Sequence, residues 1–148
     1  MKVKEIKNRI TINPAIVKEE DSIKDVIKKL LEDPRSRSVY VVDSDGVLKG
    51  IIPTDVILKA THLLKGKGTL KDEDTFEGIT ISTARVARDL MHKPVYVHED
   101  DDVLDVLEAM VEEGFQELPV VNSDDKVTGD LNCLEVISAL WGEKPGDK

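Results

Sequence analysis

The chain has 148 residues, 40% of them hydrophobic and 34% charged, with a net charge of −9 and one cysteine. That is the composition of a soluble globular protein, long enough to bury roughly 68–70% of its unfolded surface without a staple; Cys133 alone excludes an intrachain disulfide. Residues 1–65 carry 13 basic and 10 acidic side chains and residues 66–148 carry 8 and 20, and this acidic second half, with five aromatics in the whole chain, excludes a nucleic-acid surface.

An amphipathic stretch from Val3 to Ile10 opens the chain, and Pro14 introduces an extended segment, Ala15-Ile16-Val17. Asp21-Ser22 reads as the cap of a helix carrying Ile23, Val26, Ile27, Leu30 and Leu31 at helical spacing, stopped by Asp33-Pro34. Ser38 to Val42 is β-branched and strand-like, Asp43-Ser44-Asp45-Gly46 is a turn, and Val47 to Ile52 is the partner strand. Pro53-Thr54-Asp55 starts a second helix to about Leu64. Residues 65–82 are polar and glycine-containing, a linker. The same order then returns: an opening helix over Thr83–Met91, extended Val95-Tyr96-Val97, a helix capped by Asp102, a hairpin of Leu118–Val121 and Val127–Leu131, and a closing helix over Cys133–Trp141. Residues 143–148 form a frayed tail. No leader pattern and no apolar run near 18 residues is present, so the expected location is cytoplasmic, without membrane insertion.

The return is residue by residue. Pro14, Val17, Glu19, Asp21, Asp25, Val26 and Glu32 match Pro94, Val97, Glu99, Asp101, Asp105, Val106 and Glu112. After a one-residue slip, Val41, Val42, Ser44, Asp45 and Gly50 match Val120, Val121, Ser123, Asp124 and Gly129. Val56-Ile57 against Val136-Ile137 restores the first offset. A repeat of this length is one supersecondary unit used twice, with a cleft expected between the copies.

This ordered set resembles the CBS domain, and two in tandem resemble a Bateman module. The carriers in the second repeat are Val86 to Val97, Leu118-Pro119-Val120-Val121-Asn122 and Gly129-Asp130-Leu131. In the first they are Pro14, Val17, Val41-Val42-Asp43 and Gly50-Ile51-Ile52. The resemblance implies an α+β fold of two β-α-β-β-α repeats with pseudo-two-fold symmetry, repeat 1 over residues 1–64 and repeat 2 over 83–142. It also implies frequent homodimerisation and two clefts that often hold an adenine nucleotide. No cofactor is required; AMP, ADP, ATP or S-adenosylmethionine is the expected regulatory ligand, and a separate enzyme or transporter the expected partner.

A helix N-terminus presents unpaired N–H groups to phosphate, and a carboxylate there suits ribose hydroxyls. In the resembled family the strand before the closing helix ends as Gly, apolar, any, Thr or Ser, two residues, Asp. Gly50 to Asp55 is one residue short of that spacing, and aligning from the helix side places the deletion in the turn. Arg37 lies where some nucleotide-binding members carry a basic residue. The favoured cleft therefore uses Arg37, Thr54 and Asp55, completed by Met91, Lys93, Pro94 and Val95. A second, weaker cleft combines Asn132 and Glu135 with Ile12, Asn13, Pro14 and Ala15; its counterpart of Arg37 is Gln116, followed by the repelling Glu117.

Plainer readings of these residues stand beside the binding ones. Thr54-Asp55 and Asn132 with Glu135 also suit ordinary helix starts, and Arg37 suits a surface ion pair. Glu99 to Asp102 suits Mg²⁺ or, as the simpler reading, a solvated turn and cap. The three histidines lack zinc spacing, and no nucleophile–base set or Walker loop is present, so an enzyme is not expected. The alternatives to a nucleotide sensor are a ligand-free dimerisation module and a Mg²⁺ sensor.

Overall fold

In the computed structural model, residues 1–10, 12–66 and 83–146 are described, together with the backbone of residues 75–76 and 79–80. The chain divides into two compact units, one continuous over Ala15–Pro94 and one split between Met1–Pro14 and Val95–Lys148. They are called the middle and the split unit below.

The middle unit contains β1 (Ile16–Lys18), α2 (Ile23–Leu31), β2 (Ser38–Val42), β3 (Leu48–Pro53), α3 (Thr54–Lys65) and α4 (Ala87–Leu90). The two-residue strands β4 (Thr75–Phe76) and β5 (Ile79–Thr80) pair antiparallel within the predicted linker; its residues 67–74, 77–78 and 81–82 lie outside the described residues. The split unit contains α1 (Val3–Ile6), β6 (Val97–His98), α5 (Val103–Glu113), β7 (Glu117–Val121), β8 (Val127–Asn132) and α6 (Cys133–Trp141). Each unit has a three-stranded sheet in which the first strand runs parallel to the central one and the third antiparallel to it, in the orders β1-β2-β3 and β6-β7-β8. The central strands are buried at every residue, and each ends in a Val-Val pair, Val41-Val42 and Val120-Val121. Around each sheet one apolar cluster closes: Val26, Val39, Ile52, Val56 and Leu90 in the middle unit, and Ile6, Val103, Leu118, Leu131 and Val136 in the split unit.

The helices start where side chains satisfy their first N–H groups. Ser22 Oγ accepts the Asp25 N–H at 3.1 Å while Asp25 Oδ2 accepts the Ser22 N–H at 3.4 Å, a reciprocal box. Ser22→Ala should therefore cost about 1 kcal/mol, read as a lower urea midpoint at unchanged slope. Asp102 Oδ1 caps α5 through Leu104 N–H at 2.8 Å, and left-handed Gly114 (φ 73°) ends it.

The structure shortens the opening helix of the second repeat. The one expected over Thr83–Met91 is a single turn, Ala87–Leu90. Asp89 Oδ2 accepts the N–H groups of Arg85 (2.9 Å) and Val86 (3.1 Å), Val86 is extended, and it bridges to Ser22, so the helix cannot begin earlier. The stretch from Val3 is likewise one turn. These turns are exchanged relative to sequence order. α1 sits in the split unit through Val3 N–H to Asp101 C=O and Lys4 N–H to Glu99 C=O, whereas α4 sits in the middle unit through Ala87 N–H to Asp21 C=O and Arg88 N–H to Glu19 C=O.

The backbone also corrects the register of the repeat. Asp43 Oδ1 accepts from Asp45 and Val47 N–H, and Asn122 Oδ1 from Asp124 and Lys126 N–H, the same turn 79 residues on. Ser38 pairs with Pro53, and Glu117 with Asn132. Thr54 N–H donates to Arg37 C=O, and Cys133 N–H to Gln116 C=O. The offset of 79 thus persists into the closing helix instead of returning to 80. There is no deletion in the first hairpin turn: Asp55 corresponds to Leu134, and Val56 to Glu135.

Candidate functional site

In the middle unit, the candidate residues gather where β3 passes into α3. The Arg37 C=O accepts the Thr54 N–H at 3.0 Å, tying the start of β2 to the first residue of the helix. Arg37 is exposed, its Nη1 resting on the carbonyls of Pro34 (2.8 Å) and Ser36 (2.9 Å). Arg35 is otherwise engaged: it forks onto Asp33, with Nη2 to Oδ2 at 2.7 Å and Nε to Oδ1 at 3.0 Å, and holds that carboxyl down at about 2. No side chain caps α3, because its N-cap is Pro53. Asp55 is exposed in its first turn.

The segment after α4 supplies the other wall. His92 and Ile51 exchange both backbone hydrogen bonds, at 3.1 and 3.2 Å, which lays Met91 to Lys93 along β3. Met91 packs so close to Gly50 that a Cβ there would lie 2.5 Å from its Sδ. Lys93 is exposed and Pro94 half-buried. Val95, the last residue expected in this set, belongs to the split unit, where it packs against the core.

The split unit builds the corresponding place differently. Asn132 caps α6 by accepting the Leu134 N–H at 2.8 Å. Glu135 is 0% exposed. Its Oε1 accepts the Asn132 N–H at 3.0 Å and its Oε2 the Ile10 N–H at 3.1 Å. Burial pushes the Glu135 carboxyl up, against the opposing pull of these N–H groups and of Arg9. With one backbone N–H on each oxygen, this side chain caps α6 and clamps the Ile10 segment. Beside it, Ile12, Asn13 and Pro14 face Thr128, Gly129 and Asp130 across a cavity of about 120 Å³. Ala15, expected in this set, lies in the middle unit, its C=O accepting the Tyr40 N–H at 2.8 Å.

Sequence reasoning did not single out Ile51 and Asp130, which the 79-residue register makes counterparts, or the close approach at Gly50. The acidic run Glu99–Asp102 is spent on structure. Glu99 pairs with Lys7, Asp100 with Lys4 at 2.9 Å, Asp101 accepts the His98 N–H, and Asp102 caps α5. Among the described residues, no group of three or more His, Cys, Asp or Glu could hold a metal ion, and no helix is long and apolar enough to cross a membrane.

Known proteins share this fold. A CBS domain-containing protein from Thermotoga maritima superposes with a TM-score of 0.80 and 34% identity, covering 98% of this chain and 97% of that one. The crystal structure of CBSX2 in complex with AMP gives 0.70 and 25%, covering 95% and 96%. An uncharacterised 33.4 kDa protein from the ribosomal RNA operon of Thermofilum pendens is 31% identical over 132 residues, and the chain spans 42% of its length. The family model for the CBS domain matches residues 3–62 and again 87–142. With both halves matched and two three-stranded α+β units in place, the chain belongs to the CBS domain family, as a tandem pair.

Proposed function

We propose that this chain is a regulatory module that binds an adenosine-containing nucleotide, AMP, ADP or ATP, and conveys occupancy to a separate effector. The observation that carries the reading is the exposed Asp55 carboxylate in the first turn of α3, a twelve-residue helix whose N-terminus no side chain caps. Beyond the Thr54 N–H, which Arg37 C=O accepts, the N–H groups of this first turn attract phosphate, and a carboxylate beside them accepts from ribose hydroxyls. Arg37 adds a cation at the adjacent strand start, while Met91, Lys93 and Pro94 wall the groove with an apolar and cationic edge. CBSX2, which matches this chain across 95% of its length, was solved with AMP bound.

The module is non-enzymatic on this reading and resides in the cytoplasm. Its output passes through a change of conformation, which can be no larger than the ligand's differential affinity for the two states. The exposed apolar residues Leu134, Ile137, Leu140 and Trp141 of α6 offer a face for a homodimer or for an effector enzyme or transporter.

Equilibrium dialysis against labelled AMP tests the site. Asp55→Ala should weaken binding at least tenfold, and unchanged binding would remove Asp55 from it. A second reading, a ligand-free interaction module, is favoured by Val56 and Glu135. At the family's ribose position one unit has an apolar residue and the other a buried, fully engaged carboxylate.

A further inference from the structure

On α6 every exposed residue is apolar: Leu134, Ile137, Leu140 and Trp141. Their three- and four-residue spacing puts them on one face of the helix. The closing helix of the middle unit is built otherwise. In the 79-residue register the counterparts are Asp55, Leu58, Thr61 and His62, three of them polar. The apolar face is therefore particular to α6 and not a requirement of the fold.

This face is part of a groove. Beyond left-handed Gly142 (φ 69°) the chain turns back along the helix: Glu143 N–H donates to Ser138 C=O at 3.0 Å, and Arg9 Nη1 donates to Glu143 C=O at 3.3 Å and to Ser138 Oγ at 3.4 Å. Residues 143–146, with Ile10, Leu134, Ile137 and Trp141, line a groove of about 470 Å³. Its walls are open, with Leu134 55% and Trp141 77% exposed, whereas a small-ligand site buries most of its occupant. An open apolar groove along a helix takes the side chains from one face of a second helix.

Charge selects the kind of helix. The split unit, Met1–Pro14 with Val95–Lys148, has 7 Lys and Arg against 16 Asp and Glu. α5, which packs against α6, exposes Asp105, Glu108, Glu112 and Glu113 and has no basic residue. No ion pair among the described residues takes up any of the four. A second copy laid on this face by a two-fold axis would bring the same acidic helix against itself, and an anionic lipid surface would meet the same repulsion. We propose that the α6 groove docks a basic amphipathic helix of a partner protein, its apolar side chains entering the groove and its Lys and Arg residues meeting the α5 carboxylates. As the contact with an effector, this rests on the regulatory reading above; docking itself is tested without nucleotide, so the two fail separately.

Trp141 is the chain's one tryptophan, so its emission reports on the groove. The probe is a tryptophan-free Leu–Lys peptide of about 18 residues with leucine on one helical face, beside a Leu–Glu peptide of the same pattern. The Leu–Lys peptide should shift Trp141 emission to the blue and saturate, more weakly as salt rises, and the Leu–Glu peptide should do neither. Ile137→Asp should weaken binding about tenfold, as should the separate pair Glu108→Lys with Glu112→Lys, whereas Leu58→Asp on α3 should leave it unchanged. All of these positions are exposed, so the fold tolerates the changes. No shift, equal shifts by both peptides, or equal losses in Ile137→Asp and Leu58→Asp would overturn the proposal. So would sedimentation showing a dimer that Ile137→Asp dissociates, because a second copy would then occupy the groove.

Discussion

Gly50→Ala should destabilise the protein by about 1–3 kcal/mol, the range for forcing extra atoms into a packed site, while Gly129→Ala should change it by less than about 0.5 kcal/mol. The two glycines hold the same place in their hairpins, paired with Val41 and Val120. Their surroundings differ. A Cβ on Gly50 would lie 2.5 Å from Met91 Sδ and 2.7 Å from Met91 Cβ, and a contact with Cβ cannot be relieved by turning the end of the side chain. Met91 must move, and with it the backbone that His92 pairs to Ile51. A Cβ on Gly129 would meet only Val120, at 3.7 Å, an ordinary contact. Chemical denaturation of the two variants side by side checks the difference. Because Met91 to Lys93 also wall the proposed groove, Gly50→Ala should weaken AMP binding as well, whereas Gly129→Ala should leave it alone. Equal effects of the two substitutions on stability would contradict the packing described for the middle unit.

Glu135→Ala should cost about 2–4 kcal/mol, since two backbone N–H groups lose their acceptor at roughly 1–3 kcal/mol each when buried, and a fully buried side chain is emptied. Glu135→Gln separates charge from shape. Burial holds the folded-state pKa of Glu135 above its unfolded value. The stability that follows from this shift is fully present below the unfolded pKa, near 4.3 for a glutamate, and is lost as pH rises through the folded value. The wild type's advantage over Glu135→Gln should therefore shrink between acidic and neutral pH. Arg9, which opposes the shift, should push it up further when replaced by leucine. Urea midpoints of wild type and Glu135→Gln at pH 4 and pH 7 test the sign; an advantage that grows with pH would mean that the ionised form is the one the fold prefers.

Most of the fold was legible because local and global signals agree. β-branched residues mark β2, Ser22 and Asp102 mark helix starts, and Asp43 and Asn122 mark equivalent hairpin turns. The opening helix expected over Thr83–Met91 is shorter because Asp89 fixes its start at Ala87 by accepting the Arg85 and Val86 N–H groups. The exchange of the opening turns is a long-range choice between two similar sheets, and no local pattern carries it.

The site was less legible for a related reason. Val-Ile dipeptides at 56–57 and 136–137 suggest an offset of 80, but burial follows 79. Asp55 and Leu134 are both exposed, and Val56 and Glu135 are both buried. A glutamate at a core-facing position violates the apolar pattern of its helix, and only the acceptors it provides to Asn132 and Ile10 explain it.

The central claim, that the chain binds an adenosine-containing nucleotide, is tested most directly by thermal unfolding of the purified protein across AMP, ADP, ATP, S-adenosylmethionine and Mg²⁺. Binding to the folded state alone stabilises by about 2.7 kcal/mol at a hundredfold excess over Kd. For a chain of this size that predicts a rise of roughly 5–10 °C with at least one adenine nucleotide, growing with its concentration. No rise with any adenosine ligand, or a rise with Mg²⁺ alone, would contradict it.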